Sequence, residues 1–333
     1  MNNKEIEFFE DLLTVYHSLK HLKLSDLNIE QNYTGIHLAS NSYNEDVFIN
    51  LIEQFRNNQT LHIKYAFQLV NEAILYFSNY SNICSCNMNN DPTTKGCIIV
   101  GDLHGSFRDL FHIINTFGIP GKHYNFVFNG DFVDRGSMQC EVILTLIYAF
   151  LLNPTRVFLN RGNHEELNMN LSFYSNHPNF KQDCLIKYND YGNELFNLMQ
   201  KLFIHLPVAT VVVNRIGFSC FVVHGGISDK IDLKCISDSK CLKRSDFGSV
   251  SVRIENDKSS EQFIDLLWSD PYFNPEFPIT HNNARGIGVL FNADVSKEFC
   301  IKYGFNAIVR SHELRPEGKY LYFFVELIRT VNL

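Results

Sequence analysis

Apolar side chains recur at helical spacing through roughly the first ninety residues. Three such runs begin at Phe8, Val47 and Leu61, and Thr60 is a typical N-cap for the third. The following stretch, residues 81–95, is rich in Asn, Asp and Thr, which predicts a connecting loop. The pattern therefore predicts an N-terminal helical arm over residues 1–59, followed by a larger domain over residues 60–333.

A different pattern begins after residue 96, where short continuous apolar runs end in glycine-bearing polar clusters. Residues 97–100, 126–128, 157–159 and 220–223 lead into GDLHG, NGDFVDRG, NRGNHE and HGG, and helical spacing separates the first three runs. Continuous apolar runs that alternate with helices are typical of β-α-β units. An α/β fold is therefore predicted, with each polar cluster at the carboxyl end of a strand, where such sheets bind ligands.

The polar clusters carry residues that bind metal ions. A single Asp after a strand is usually a helix cap and a lone His usually packs in a core, but together these clusters offer a joint set of carboxylate, amide and imidazole groups. Its members are Asp102, His104, Asp131, Asn163, His164 and His224. Oxygen and nitrogen ligands without thiolates suit Mn²⁺, iron or Zn²⁺. The set predicts a site for divalent metals.

Two ions are expected because Asp131, central among the strand ends, has two oxygens that can bridge a pair of cations. A two-metal centre activates water and stabilises an in-line displacement at phosphorus. Arg135 and Arg285 are candidates to hold phosphate oxygens, since a guanidinium makes bidentate contacts that an ammonium does not. These residues predict phosphoryl chemistry.

Composition and charge argue against several other classes of protein. Lys and Arg number 29 against 36 Asp and Glu, a net charge of −7, which argues against a general nucleic-acid binder. The sequence has no 18-residue apolar run, so no membrane span is expected, and the acidic N-terminus does not resemble a secretory signal. Nine scattered cysteines favour reduced thiols. We expect a cytoplasmic protein that also enters the nucleus.

The ordered motifs GDLHG, GDFVDRG, RGNHE, HGG, LLWSDP, ARGIGVLF and VRSHE resemble the phosphoprotein phosphatase family of metal-dependent serine/threonine phosphatases. The resemblance spans roughly residues 60 to 320, and finer features are most similar to the branch that holds the type-5 enzyme and the EF-hand phosphatases. It implies a β-sandwich of two mixed sheets flanked by helices, with an N-terminal helical segment. It also implies hydrolysis of phosphoserine and phosphothreonine in proteins.

The resemblance implies a role for each candidate residue. The first metal would be held by Asp102, His104 and Asp131. The second would be held by Asp131, Asn163, His224 and His312. His164, oriented by Asp134, would protonate the leaving oxygen as general acid. The phosphate group would be bound by Arg135, Arg285 and Asn163.

The sequence departs from the family after Glu313. The family continues with a strand pair and a Ser-Ala-x-Asn-Tyr loop that residues 314–333 do not contain, and no EF-hand calcium loop occurs. The catalytic domain is therefore expected to lack its last strands and loop. This leaves open a catalytically impaired phosphatase-like binding protein. The early motifs, which also fit wider metallophosphoesterases, leave open a small-molecule phosphoesterase that acts on dinucleoside polyphosphates.

Expected partners follow from the same resemblance. The substrates would be phosphoproteins. Residues 17–24, HSLKHLKL, have some basic amphipathic character that suits calmodulin or a regulatory subunit, but their charge is modest and favours a helix packed on the catalytic domain.

Overall fold

The computed structural model describes residues 27–314 except 176, 238–257 and 275. The predicted helix at Phe8, the segment 17–24 and residues 315–333 lie outside the described residues. The other two helices are confirmed as α1 (Glu45–Arg56) and α2 (Ile63–Phe77). Asn44 caps α1 by accepting from the Val47 N–H, and α2 is capped by the imidazole of His62. The prediction of Thr60 as the cap was wrong because the chain turns into the helix two residues later.

Strands and helices then alternate as predicted. The elements up to residue 159 are β1 (Ile83–Asn87), β2 (Cys97–Val100), α3 (Phe107–Phe117), β3 (Asn125–Phe128), α4 (Gln139–Leu152) and β4 (Val157–Leu159). Part of the predicted loop 81–95 is strand β1. Its polar composition concealed an alternation in which Cys84 and Cys86 are buried and Ser85 is exposed.

The rest of the described chain adds six helices and six short strands. These are α5 (Leu167–Leu171), α6 (Phe180–Tyr188), α7 (Gly192–Phe203), β5 (Ala209–Val213), β6 (Ser219–Val223), α8 (Leu233–Ser237), α9 (Lys258–Trp268), β7 (Asp270–Pro271), β8 (Ile279–His281), β9 (Val289–Phe291), α10 (Ala293–Tyr303) and β10 (Ala307–Val309). In the described ranges, every helix is too short or too polar to span a bilayer.

The strands form two principal sheets and a small third one. The first sheet has the order β1-β5-β6-β10 and is mixed, since β5 and β6 are antiparallel while the outer pairs are parallel. The second has the order β2-β3-β4 and is parallel throughout its described residues. The third, β7-β9-β8, follows α9. The predicted α/β class is confirmed, and the small third sheet is an addition to it.

Apolar side chains hold the two principal sheets face to face. The cluster between them draws on both sheets and contains Cys84, Cys86, Val127, Phe158, Val212, Cys220 and Val222. A second cluster joins the outer face of the β2-β3-β4 sheet to the helices that precede residue 207, and a third joins the other sheet to α9 and α10. This layering brings the carboxyl ends of β2, β3, β4, β6 and β10 to one edge of the sandwich.

Helices α1 and α2 belong to the same hydrophobic core as the catalytic motifs. Phe77 of α2 stacks on Phe150 of α4 at a centroid distance of 4.2 Å, and Phe48 of α1 lies 5.7 Å from the Tyr148 ring. The helical segment therefore packs directly against the sandwich. The division of the chain at residue 60 stays a prediction.

Candidate metal centre and active site

Asp131 lies at the middle of the strand ends, directly after β3. Its side chain is buried, and its two carboxylate oxygens face different histidines: Oδ2 lies 3.4 Å from His104 Nε2, and Oδ1 lies 3.3 Å from His224 Nε2. A carboxylate with one imidazole at each oxygen has the geometry of a bridging ligand. The structure thus places Asp131 between two candidate metal positions.

The first position lies at the end of β2. His104 Nε2 is 3.9 Å from Asp102 Oδ2, and His104 Nδ1 donates to the carbonyl oxygen of Val133 at 2.9 Å. Because that hydrogen bond fixes the proton on Nδ1, the lone pair of Nε2 is directed toward the carboxylates. The imidazole of His164 packs edge-on against His104, with ring centroids 4.7 Å apart. The predicted ligands of the first metal are therefore together.

The second position gathers residues from four segments of the chain. His224 Nε2 lies 2.9 Å from the Asn163 side-chain oxygen and 3.2 Å from His312 Nδ1, while His224 Nδ1 donates to the carbonyl oxygen of Asn129 at 2.8 Å. The Asn163 amide also lies 3.3 Å from both Asp131 oxygens. Within the described residues, Nε2 of His312 is buried without a hydrogen-bond partner. The predicted ligands of the second metal are therefore also together.

The closely spaced lone pairs of these ligands suit divalent cations. A cation placed between carboxylate, amide and imidazole groups that face one another at about 3 Å would offset the repulsion between their lone pairs. The pKa values of Asp131 and His224 agree with this interpretation. Burial alone raises the pKa of Asp131, but the neighbouring His224 and His164 charges outweigh it and hold this pKa well below its usual value. Burial lowers the pKa of His224, but the Asp131 charge outweighs it and raises this pKa to about 9.

Strained backbone is concentrated at the centre. Of the eight non-glycine residues with positive φ in the described chain, five belong to the predicted site: His104, Asp131, Asp134, Arg135 and His312, with φ between 43° and 73°. A left-handed conformation costs such residues on the order of 1–3 kcal/mol each, and it persists only where the surroundings impose it. The fold therefore imposes the ligand positions at the expense of its own stability.

Hydrogen bonds on the side away from the metal ligands fix the predicted general acid, His164. His164 Nδ1 donates to Asp134 Oδ2 at 2.8 Å, so its Nε2 faces the metal ligands, 4.0 Å from Asp131 Oδ2. The buried Asp134 carboxylate also accepts from the Asn170 amide at 2.9 Å and the Phe180 backbone N–H at 3.0 Å. Burial lowers the pKa of His164, but Asp131 and Asp134 together raise it above its usual value. The two carboxylates thus favour a proton on the ring that faces the site.

The two predicted phosphate-binding arginines lie on opposite sides of the ligands. Arg135 Nη2 is 3.2 Å from His164 Nε2. Arg285 forms an ion pair with Asp270, and its Nη2 lies 3.4 Å from the carbonyl oxygen of His312. The geometry brings each arginine next to one edge of the metal centre.

Several supporting residues escaped the sequence analysis. Glu165 accepts from the backbone N–H groups of Asp131, Phe132 and Gly162 at 2.8–2.9 Å, and burial raises its pKa to about 7. It lies inside the RGNHE motif, so the motif was a usable signal. The hydroxyl of Tyr174 lies 3.3 Å from Asp134 Oδ2. Tyr174 lies in an irregular segment outside the motifs, so no sequence pattern pointed to it.

A third missed feature is the network around Asp270, which lies inside the LLWSDP motif. Its carboxylate binds Arg285 and also Arg310, whose Nη2 donates to Asp270 Oδ1 at 2.8 Å. Asp270 thereby ties the arginine at the metal centre to the segment that carries His312.

A helix-flanked pair of sheets with two adjoining groups of oxygen and nitrogen ligands at the strand ends defines the class of metal-dependent phosphoesterases. Residues 97–316 match the family model described as Calcineurin-like phosphoesterase, and the chain belongs to this family. Residues 4–85 match the model described as the PPP5 TPR repeat region.

Curated relatives and a solved structure carry the same assignment further. The chain is 35% identical over 301 residues to Serine/threonine-protein phosphatase T of Aspergillus oryzae, which covers 89% of this chain and 56% of that protein. It is 32% identical over 328 residues to human Serine/threonine-protein phosphatase with EF-hands 1, covering 89% of this chain and 48% of that protein. The chain thus spans about half the length of these relatives.

A solved serine/threonine phosphatase from Saccharomyces cerevisiae, described as similar to human phosphatase PP5, superposes with a TM-score of 0.67 at 31% identity. The match covers 81% of this chain and 78% of that one. The resemblance to the branch that holds the type-5 and EF-hand phosphatases is confirmed.

Proposed function

We propose that this chain hydrolyses phosphoserine and phosphothreonine in proteins with the help of two divalent metal ions. The observation that carries the proposal is the position of His164 Nε2, which faces the bridging carboxylate at 4.0 Å while Asp134 holds the opposite ring nitrogen. A serine or threonine alkoxide is a poor leaving group, so its departure requires a proton from a group placed in this way. The names of the relatives support the choice of a phosphorylated protein as substrate.

The metal ligands divide as the resemblance implied. The first ion would be held by Asp102, His104 and Asp131, and the second by Asp131, Asn163, His224 and His312. We propose Mn²⁺, with iron or Zn²⁺ as other ions that suit the same ligands. When bound, such a pair of ions supplies the positive charge that activates water and stabilises the phosphoryl oxygens.

Side chains of the protein would bind the phosphate group and supply the proton. Arg135 and Arg285 flank the centre, where each guanidinium can hold two phosphate oxygens and offset the charge that develops during displacement. Asn163, a proposed ligand of the second metal, would also contact the phosphate. His164 gives its Nε2 proton to the leaving oxygen, which typically contributes about 10² to 10⁴ in rate. Asp134 keeps that ring in its tautomer and orientation.

The test is steady-state hydrolysis of a serine phosphopeptide by the purified chain with Mn²⁺. Turnover that is abolished in Asp102→Asn and reduced at least 100-fold in His164→Ala is the expected result. Phosphopeptide binding without turnover would instead support the catalytically impaired binding protein. Preference for a dinucleoside polyphosphate over the phosphopeptide would support the small-molecule phosphoesterase.

We also propose a cytoplasmic location with access to the nucleus. Six of the cysteines that the structure describes are free thiols, which supports a reducing compartment: Cys86, Cys97, Cys140, Cys184, Cys220 and Cys300. Fluorescence microscopy of the tagged full chain tests this, and a signal confined to a secretory compartment would refute it. Calmodulin or a regulatory subunit as a partner stays a prediction, because residues 17–24 lie outside the described chain.

A further inference from the structure

Asn129 is a buried residue that lies directly after β3, two positions before Asp131. All the hydrogen-bonding atoms of its side-chain amide have partners across the gap between the two principal sheets. Nδ2 donates to the carbonyl oxygen of Val223 at 2.8 Å and to Ser311 Oγ at 2.9 Å, and Oδ1 accepts from Asn160 Nδ2 at 2.9 Å. The amide therefore connects three segments to its own.

Each of these partners lies just before a ligand of the second metal. Val223 precedes His224, Ser311 precedes His312, and Asn160 lies three residues before Asn163. The main chain of Asn129 contributes as well, because its carbonyl oxygen accepts the Nδ1 proton of His224 at 2.8 Å. One residue thus contacts the segments of all four ligands.

The partners of Asn129 are themselves fixed. Asn160 accepts from the Thr210 hydroxyl at 2.7 Å and donates to the carbonyl oxygen of Val222 at 3.2 Å. The Ser311 N–H donates to the carbonyl oxygen of His224 at 3.0 Å. A fully satisfied polar network in a buried setting resists distortion, since breaking any of its bonds leaves a group without a partner.

We propose that Asn129 is a positioning residue that sets the spacing of the four ligands of the second metal. The inference rests on the proposed function only in taking these ligands to bind a cation. Groups that orient metal ligands from behind typically change metal affinity by about 10- to 100-fold when they are replaced. Asn129 is expected to act at the second metal position and to leave the first, formed with Asp102 and His104, nearly unchanged.

The experiment compares Asn129→Leu with Asn125→Leu. Both asparagines are buried and belong to the same stretch of chain, but the Asn125 amide contacts Cys86 Sγ at 3.2 Å, away from the ligands. Mn²⁺ binding to the metal-free proteins is measured by titration calorimetry, and thermal unfolding of the metal-free proteins gives their stability. We expect one of two Mn²⁺ sites to weaken by about 10- to 100-fold in Asn129→Leu and both to stay within about twofold in Asn125→Leu.

Electron paramagnetic resonance adds a signature that a loss of stability alone does not produce. The wild-type chain with two equivalents of Mn²⁺ is expected to show a spin-coupled pair, and Asn129→Leu to show isolated Mn²⁺. Equal weakening in both leucine variants, or a coupled pair in Asn129→Leu, would overturn the inference. A wild-type chain that binds two Mn²⁺ without phosphatase activity would refute the proposed function and leave this test intact.

Ser311→Ala serves if Asn129→Leu does not fold, because it removes only the hydrogen bond toward the His312 segment. It is expected to weaken the same Mn²⁺ site several-fold. Unchanged affinity at both sites would contradict the positioning role.

Discussion

Replacing Gly162 by alanine tests how tightly the fold holds the Asp131 carboxylate in position. A Cβ at this position would lie 2.3 Å from Asp131 Oδ1 and 2.4 Å from the Asp131 backbone nitrogen. Real side chains do not approach closer than 3.0 Å, and a comfortable contact is about 3.5 Å. Asp131 must therefore move by roughly 0.7 to 1.2 Å. The backbone φ of Gly162 is outside the left-handed region, so the effect is steric alone.

The magnitude follows from this displacement. A misplacement of about 1 Å at a catalytic centre costs about 100-fold in rate, or roughly 2.7 kcal/mol of transition-state stabilisation. Since Asp131 faces both metal positions, we expect Gly162→Ala to lower kcat/KM by at least about 100-fold. Hydrolysis of p-nitrophenyl phosphate at saturating Mn²⁺ measures the loss, and calorimetry shows whether Mn²⁺ binding falls with it.

Gly96→Ala is the matched control. Its Cβ would meet only the Tyr124 ring at 3.7 Å, an ordinary contact, so activity should be unchanged. A Gly162→Ala protein that folds and keeps its kcat/KM within threefold of wild type would show that the site tolerates a displaced Asp131 and would refute the predicted steric effect.

Three further predictions concern other groups. Asp134→Asn removes the charge that orients His164, so we expect kcat on a serine phosphopeptide to fall by a factor of about 10² to 10⁴. The loss on p-nitrophenyl phosphate should be smaller, because its leaving group needs no proton. Equal losses on the two substrates would contradict this role. Arg285→Lys gives up the planar contact with Asp270 and phosphate, so kcat/KM for the phosphopeptide should fall about 10- to 100-fold at unchanged Mn²⁺ affinity. Burial raises the pKa of Asp265 to about 6, so its ionisation costs stability as pH rises through the interval from about 4 to 6. Asp265→Asn should therefore raise the free energy of unfolding by up to about 3 kcal/mol at pH 8 and by less at pH 5, and an equal gain at both pH values would argue against this origin.

The sequence was informative where one short segment carries both the structural and the chemical signal. The motif GDFVDRG follows an apolar run, so it reports a strand end and Asp131 together. Strand β1 was missed because it is stabilised by parallel pairing with β5, more than 120 residues away, and all of its residues after Ile83 are polar or small. The role of Asn129 was invisible for the same reason, since its partner Ser311 lies 182 residues along the chain.

Helix α4 connects two parts of the molecule that were introduced separately. Near its carboxyl end Phe150 and Tyr148 pack against α2 and α1, and at its amino end the Gln139 side chain accepts the backbone N–H of Asp134 at 2.8 Å. Gln139 and Phe150 are 11 residues apart along this helix, which corresponds to about 16.5 Å. Helix α4 thus joins α1 and α2, which lie in the segment that matches the PPP5 TPR repeat region, to the loop behind the proposed general acid. A displacement of α1 or α2 would therefore reach the loop behind His164 through α4, without passing through the metal ligands.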